Sequence, residues 1–388
     1  MPRLIGYSLR SLFARWKSTL LAMIGIGLVV AVFAGLLSMA SGFRLALRAS
    51  GTVGNAIVLQ KGAMSELGSS FSKAAGDWVM NDPRIARGRD GAPLVSPESV
   101  IVVALPKRND GELTNVGFRG VTQAAFHVRN GVAVFEGRRA EPGLFEIMVG
   151  RQAQNRIQGL DVGSRISIMK REFKVVGVFS SEGSAFESEI WGDFDAMASA
   201  FNHAGTENSL TVRLVDPSVL PSFDRDLRAN RQYPLGMVGE RKYYDDQGGP
   251  LSRFLGGLAA FVAVVMGIGA VFAAMNTMYA IVANRTSEVG TLRALGFSRG
   301  DILTALVLEG LLLALAGGGL GCLLSFLMNG VRTTSITASM SEIVFAIQVT
   351  PVDLGFGLLF AATMGIAGSL LPASRAARLP IVSALRQG

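Results

Sequence analysis

Cysteine is almost missing from this 388-residue chain: Cys322 is the single one. One thiol cannot close an intrachain disulfide, and inside an apolar run it behaves as a small hydrophobe, so it says little about compartment. Histidine is nearly as scarce. His127 and His203 have no cysteine or second histidine at ligand spacing, which argues against a metal site. No GxxxxGK[ST] phosphate loop occurs, so the chain does not hold ATP by that device. The acidic pairs Glu187/Glu189 and Asp193/Asp195 come with no converging His, Ser or Lys, and read as solvated loop or strand edge rather than as catalytic carboxylates. Charge is scarce too: 17% of residues are charged against 49% hydrophobic.

The scarcity is uneven. Residues 18–41 and 254–283 carry no charge, residues 302–330 carry only Glu309, and residues 354–371 carry none. About 20 apolar residues cover a hydrocarbon core of roughly 30 Å, so these windows read as four membrane-spanning helices, one followed by three. A cleaved signal peptide competes for the first window, with the small residues of "SMASG" after it. Its apolar run exceeds the ~7–15 residues of a signal h-region, which favours a retained anchor.

Charge sets the orientation. Residues 42–250 hold 25 Lys/Arg and 24 Asp/Glu, which nearly cancel, so most of the net +8 lies beside the spans. Arg3, Arg10, Arg15 and Lys17 precede the first, Arg285, Arg293 and Arg299 follow the second, and Arg375, Arg378 and Arg386 follow the fourth. The positive-inside rule puts both termini and the loop after the second span in the cytoplasm, and residues 42–250 outside it. The basic residues are scattered or juxtamembrane, with no aromatic-interleaved face, so nucleic acid is not an expected partner.

The resulting organisation is a cytoplasmic segment at 1–17, spans at 18–41, 251–283, 301–330 and 351–371, an extracytoplasmic domain at 42–250, a cytoplasmic turn at 284–300, a short outer loop at 331–350 and a tail at 372–388. The 42–250 stretch reads as an α+β domain of two lobes. "SVIVVAL", "RISIM", "FKVVGVF" and "SLTVRLV" are rich in β-branched residues and bounded by turn formers. "RQAQNRIQGL" and "PSVLPSFDRDLRAN" read as short helices, the second opened by an Asp216 cap and Pro217.

Within the spans, Gly25, Gly27 and Gly35, then Gly256, Gly257, Gly267 and Gly269, then Gly317, Gly318, Gly319 and Gly321 offer small surfaces for close helix approach, within the chain or with a second copy. A carboxyl at Glu309 is costly in a span; a hydrogen bond from Asn276 or Thr277 of the second span, or protonation of the acid, would meet that cost.

One charged segment interrupts the apolar half: "RTSEVGTLRALGFSRGDILTALVLEGLLLALAGGGLGCLLS". Val289, Leu292 and Leu295 recur at i, i+3, i+6 beside Arg285, Glu288 and Arg293, a short amphipathic helix, and Gly296 suits its C-terminal cap. The stretch resembles the C-terminal permease region of the MacB/FtsX-like ABC transporter family in Arg285, Thr286, Glu288, Gly290, Arg293, Ala294, Leu295, Gly296, Ile302, Leu303, Glu309 and Gly317–Gly319. The ending "PASRAARLPIVSALRQG" resembles the same family in Pro372, Ala376, Ala377, Pro380 and Ala384-Leu385-Arg386. "VGRQAQNRIQGLDVGSRISIMKREFKVVGVF" is similar to its periplasmic core.

The resemblance implies a dimeric, multi-pass permease of the bacterial inner membrane. Its short cytoplasmic helix, Arg285, Glu288, Val289, Gly290, Leu292, Arg293, Ala294, Leu295 and Gly296, would dock on a separate ATPase, with ATP and Mg in that partner and no cofactor in this chain. ATP-driven closure of the partner would be relayed through the helices to the outer domain. The fused macrolide exporters carry an ATPase ahead of the first span, where only 17 residues stand here. The efflux branch, working with a periplasmic adaptor and an outer-membrane duct, fits "RTSEVGTLRALG" best. A lipoprotein-releasing permease is the alternative, and a signalling or hydrolase-regulating membrane protein the contrast.

Overall fold

The computed structural model describes residues 16–129, 131–337 and 340–380. Arg3, Arg10, Arg15 and the closing Ala384, Leu385 and Arg386 lie outside the described residues. The chain divides into two compact units: residues 43–251 with 332–346, and the remainder.

The first unit is built on strands. After helix α1 (Trp16–Ser50) come β1 (Asn55–Gln60), β2 (Phe71–Ser72), α2 (Lys73–Met80), β3 (Val95–Pro106), β4 (Leu113–Val121), α3 (Ala125–Val128), β5 (Ala133–Gly137) and β6 (Glu146–Gly150). Then follow α4 (Arg151–Arg156), β7 (Arg165–Ile168), β8 (Arg171–Ser180), β9 (Ile190–Asp193), α5 (Phe194–Ala200), β10 (Thr206–Glu207), β11 (Ser209–Arg213), α6 (Leu220–Ala229) and β12 (Leu235–Gly239). The strands run β12-β1-β11-β3-β4-β9-β6-β8-β5 in one sheet, with β7 added to β8. Pairing is antiparallel except β4–β9 and β6–β8. Two apolar cores lie on this sheet, one around Phe118, Ile147, Phe173 and Ile190, the other around Val58, Leu210, Phe223 and Leu235. The two lobes are thus two cores sharing one uninterrupted sheet, because β3 and β4 pair over nine residues and carry the ladder across.

Asp216 caps the turn before α6, its side chain accepting from the Ser218 amide, and Asp193 caps α5 by accepting from Ala196. The expectation of a solvated edge for Glu187 and Glu189 is corrected. Glu187 is buried and its carboxylate accepts from the Ser181 and Gly183 amides and from Gln152, while Glu189 is forked by Arg119. Residues 331–350 are more than a loop. They form a hairpin, β13 (Arg332–Ile336) with β14 (Glu342–Ala346), that belongs to this unit. Glu342 pairs with Arg156 at 3.0 Å and accepts from Thr114, the Val344 amide donates to Ser188, and Phe345 meets Phe43 edge-on. Burial alone would raise the Glu342 carboxyl, but Thr114 and Arg156 outweigh it and hold it low.

The second unit is helical. It holds α1 up to residue 42, the rest of α7 (Glu240–Ala283) from residue 252, α8 (Thr286–Ala294), α9 (Arg299–Phe326) and α10 (Pro351–Ala377). Helices α1, α7, α9 and α10 are long and apolar enough to cross a membrane. The helices run past the charge-free windows, α1 to Ser50 and α7 from Glu240, because polar residues at their ends are served by the strand unit rather than by lipid. Ser298 with Asp301 and Thr350 with Asp353 form reciprocal capping boxes that start α9 and α10. Glycines set the close approaches. A Cβ on Gly321 would collide with the Gly27 carbonyl on α1, one on Gly318 would stand 2.5 Å from Ala361 Cβ, and one on Gly368 2.7 Å from Ala274 Cβ. Gly25, Gly256, Gly257, Gly269 and Gly319 have nothing within 4 Å of that position.

Candidate functional site: the charged turn between the second and third spanning helices

Helix α7 ends at Ala283 and α8 begins three residues later. Arg285 stands in between, outside helical geometry, with its guanidinium turned back on the unit. Its Nε donates to Glu288 at 2.9 Å, and its Nη1 donates to both oxygens of Glu309 at 3.0 and 3.2 Å. Glu309 is 2% exposed, and Arg285, with 15% of its side chain exposed, covers it. A buried carboxylate without a counter-charge is costly, and a guanidinium fork repays part of that cost while fixing direction.

This corrects the expected partner of Glu309. Asn276 is exposed, and the Thr277 hydroxyl donates to Ala273 of its own helix. The acid is held by the turn after α7, not by the helix body. Twenty-four residues separate Arg285 from Glu309, a gap with no helical or strand signature, so the pairing exists only once the chain has turned back.

Around this pair the nine residues of α8 divide between the chain's own core and its surface. Val289 is buried in a cluster with Met278, Ile302, Leu306 and Ala373, and Gly290 is buried beside it. Leu292 is half-buried; Glu288, Ala294 and Leu295 are exposed, Leu295 at 73%. The apolar edge 289–292–295 therefore turns gradually from core to surface, as a period of 3.6 residues dictates for i, i+3, i+6 spacing. Arg293 reaches back to the Ala377 carbonyl on α10 at 3.3 Å. Gly296 stands at φ +95°, and the Phe297 amide donates to the Leu292 carbonyl at 3.2 Å, which closes the C-terminus in a glycine cap. A shallow cleft between α8 and α9 is lined by Leu292, Phe297, Asp301 and Ala305 above the Arg285–Glu309 pair.

Among the described residues there is no cluster of three or more His, Cys, Asp or Glu that could hold a metal. What the arrangement offers is a short helix fixed at both ends, with an exposed face of mixed charge and one large apolar side chain. Four spanning helices, an α/β domain inserted after the first and this anchored helix after the second define a membrane permease. The chain belongs to the MacB/FtsX-like ABC transporter permeases: the profile of the MacB-like periplasmic core domain matches residues 19–230, and that of the FtsX-like permease C-terminal region matches residues 260–381.

Curated relatives agree. The macrolide export ATP-binding/permease protein MacB of Bdellovibrio bacteriovorus is 26% identical over 405 residues, covering 94% of this chain and 59% of that protein. MacB of Neisseria gonorrhoeae is 24% identical over 323 residues, covering 77% of this chain and 49% of that protein. The chain spans about half the length of the curated relatives it matches. Among solved structures, the periplasmic region of MacB from Actinobacillus actinomycetemcomitans is similar to 50% of this chain and 92% of its own, at 13% identity and a TM-score of 0.38.

Proposed function

We propose that this chain is the permease subunit of an ABC transporter whose ATPase is a separate polypeptide, docked on α8 from the cytoplasm and supplying ATP and Mg. Two copies of the permease would sit in the bacterial inner membrane with both termini cytoplasmic. ATPase closure would move α8, and the four spanning helices would pass that movement to the α/β domain. The work done there would be efflux of a substrate from the periplasm, with a periplasmic adaptor and an outer-membrane duct as further partners. Relatives named as macrolide exporters support that direction of transport.

The observation that carries the reading is the anchoring of α8. A docking helix can transmit a push only if it is fastened to the spans it must move. Here Arg285 ties its start to Glu309 on α9, Arg293 ties its end to α10, and Val289 is set in the core they share. Its outward face carries Glu288, paired with Arg285, and the exposed Leu295.

The test uses these two. In the complex of permease and co-purifying ATPase, the double variant Glu288→Lys with Leu295→Asp is expected to lower ATP hydrolysis by about tenfold or more, as loss of a typical coupling energy would. Permease abundance should stay at the wild-type value, and the single variant Leu295→Asp, which leaves the Glu288–Arg285 pair intact, should lower hydrolysis in the same direction. Wild-type hydrolysis in the double variant overturns docking at α8.

A further inference from the structure

Inside the α/β domain a set of charged side chains is sealed from water. Glu98 on β3 and Glu240 at the start of α7 are 0% exposed, Arg119 on β4 and Arg129 after α3 are 2%, and Glu66 before β2 is 4%. Arg119 Nη1 donates to Glu66 at 2.8 Å and to Glu98 at 2.6 Å, and its Nε and Nη2 fork Glu189 at 2.8 and 2.9 Å. Arg129 donates to both oxygens of Glu98, to the Thr211 hydroxyl at 2.8 Å and, through Nε, to Glu240 at 3.1 Å. Both guanidinium groups also lie over the Phe186 ring. Burial alone would push the Glu66 carboxyl up, but the Arg119 charge and hydrogen bonds outweigh it and hold Glu66 low.

Glu240 is where this network reaches a spanning helix. It is the first residue of α7, a 44-residue helix that belongs to the strand unit up to residue 251 and to the helical unit from residue 252. One of its oxygens takes Arg129. The other accepts from the Thr52 amide at 2.9 Å and from Asn55 Nδ2 at 3.0 Å. Thr52 lies two residues beyond the end of α1, and Asn55 opens β1. The two helix ends also touch: a Cβ on Gly51 would stand 2.5 Å from Arg241 Cα. A single carboxylate therefore gathers the end of α1, the start of α7, strand β1 between β12 and β11 and, through Arg129, the inner strand β3.

Stability does not call for such a device. Replacing a buried ion network by apolar side chains of similar volume is often neutral or stabilising. What ion pairs with forked geometry add is direction: Arg129 can satisfy Glu98, Thr211 and Glu240 together in one placement of α7 against the sheet. We propose that Arg129 and Glu240 form the joint that locks the domain ends of α1 and α7 to the sheet, so that displacement of these helices reaches the sheet as rigid motion instead of being lost in bending between helix and strand. The proposal rests on the relay function above and names the residues of the α/β domain that receive the stroke.

The experiment uses the full permease with its co-purifying ATPase in lipid nanodiscs. Amide hydrogen exchange is followed with and without Mg-ATP and vanadate, which holds the ATPase closed. Wild type should show a vanadate-dependent change in exchange across β3 and β4. The double variant Arg129→Met with Glu240→Met leaves Glu98 its second partner, Arg119, and so strands no carboxylate in the sheet. In it, the vanadate response of β3 and β4 should fall about tenfold or more, while ATPase binding, basal hydrolysis and the melting temperature are retained. The single variant Glu240→Gln, which keeps the side chain's shape, should show the same loss in part, with faster exchange at Thr52 and residues 240–246 only. A wild-type-sized response in the double variant overturns the joint. So does general acceleration of exchange through the sheet in both variants, which would mark the network as merely structural. Absence of any response in wild-type permease with an active ATPase overturns the relay function itself, and the joint with it.

Discussion

Single residues show how strongly burial rewrites charge. Glu207 ends the short strand β10 at 2% exposure, and its Oε2 finds no hydrogen-bond partner among the described residues. It sits against Gly76 on α2, where any Cβ would collide with the carboxylate. Burial first, then the nearby Asp77 charge, push this carboxyl up to about 7, with Lys73 opposing. An acid whose folded pKa lies above its unfolded value loses stability as pH rises, here between about 4.5 and about 7. The α/β domain should be more stable at pH 5.5 than at pH 8, with Glu207 contributing on the order of 2 kcal/mol of the difference. Denaturation of Glu207→Gln at both pH values is expected to show that dependence flattened; an unchanged slope would assign it elsewhere. Glu309 gives the opposite lesson. It is as deeply buried as Glu207, yet it is met by a guanidinium. No spacing rule in the sequence distinguishes the two acids, because the partner of each is set by chain reversal.

At the scale of elements, the long helices were plain from composition, since charge-free windows of this length have few other uses. Which glycines matter was not. Gly319 and Gly321 stand two apart in one Gly-rich run and look alike as sequence, but two positions on a helix differ by about 200° in direction. Gly321 turns toward the backbone of α1, whereas nothing lies within 4 Å of a Cβ on Gly319. Gly321→Ala is therefore expected to cost about 1–3 kcal/mol by overpacking against α1. Gly319→Ala should be neutral or stabilising, by up to about 1 kcal/mol from helix propensity. Thermal unfolding of the two variants in the same detergent checks the contrast, and equal effects would contradict the helix directions. The hairpin at Arg332–Ile336 and Glu342–Ala346 also escaped the sequence, because "RTTSI" and "EIVFA" are short and flank a span, where hydropathy dominates the reading.

For the whole molecule, the positive flanks predict one sidedness. Cysteine introduced at Met64, 89% exposed in the α/β domain, should react with an impermeant maleimide in intact spheroplasts. Cysteine at Leu295, 73% exposed on the charged turn, should react only after permeabilisation, with Cys322 replaced in both variants to remove the native thiol. Labelling of both positions from outside would reverse the proposed orientation and remove the cytoplasmic docking surface. The same arrangement supports the proposed docking of an ATPase on α8, a short helix fixed by Arg285 and Arg293, with Glu288 and Leu295 on its exposed side.

Sequence by itself determined the number of spanning helices, the insertion of a strand-rich domain after the first, and the charged helix after the second. Each is written in local composition: absence of charge over twenty residues, β-branched runs between turn formers, and i, i+3 spacing closed by glycine. The tertiary structure alone decided which charges meet. Glu309 finds Arg285 across twenty-four residues, Glu98 finds Arg119 and Arg129, and Glu240 finds Thr52 and Asn55 from far along the chain. Ion pairs obey distance in space, and a buried charge takes whichever partner the fold brings within hydrogen-bond reach; the order of residues along the chain carries no mark of that choice.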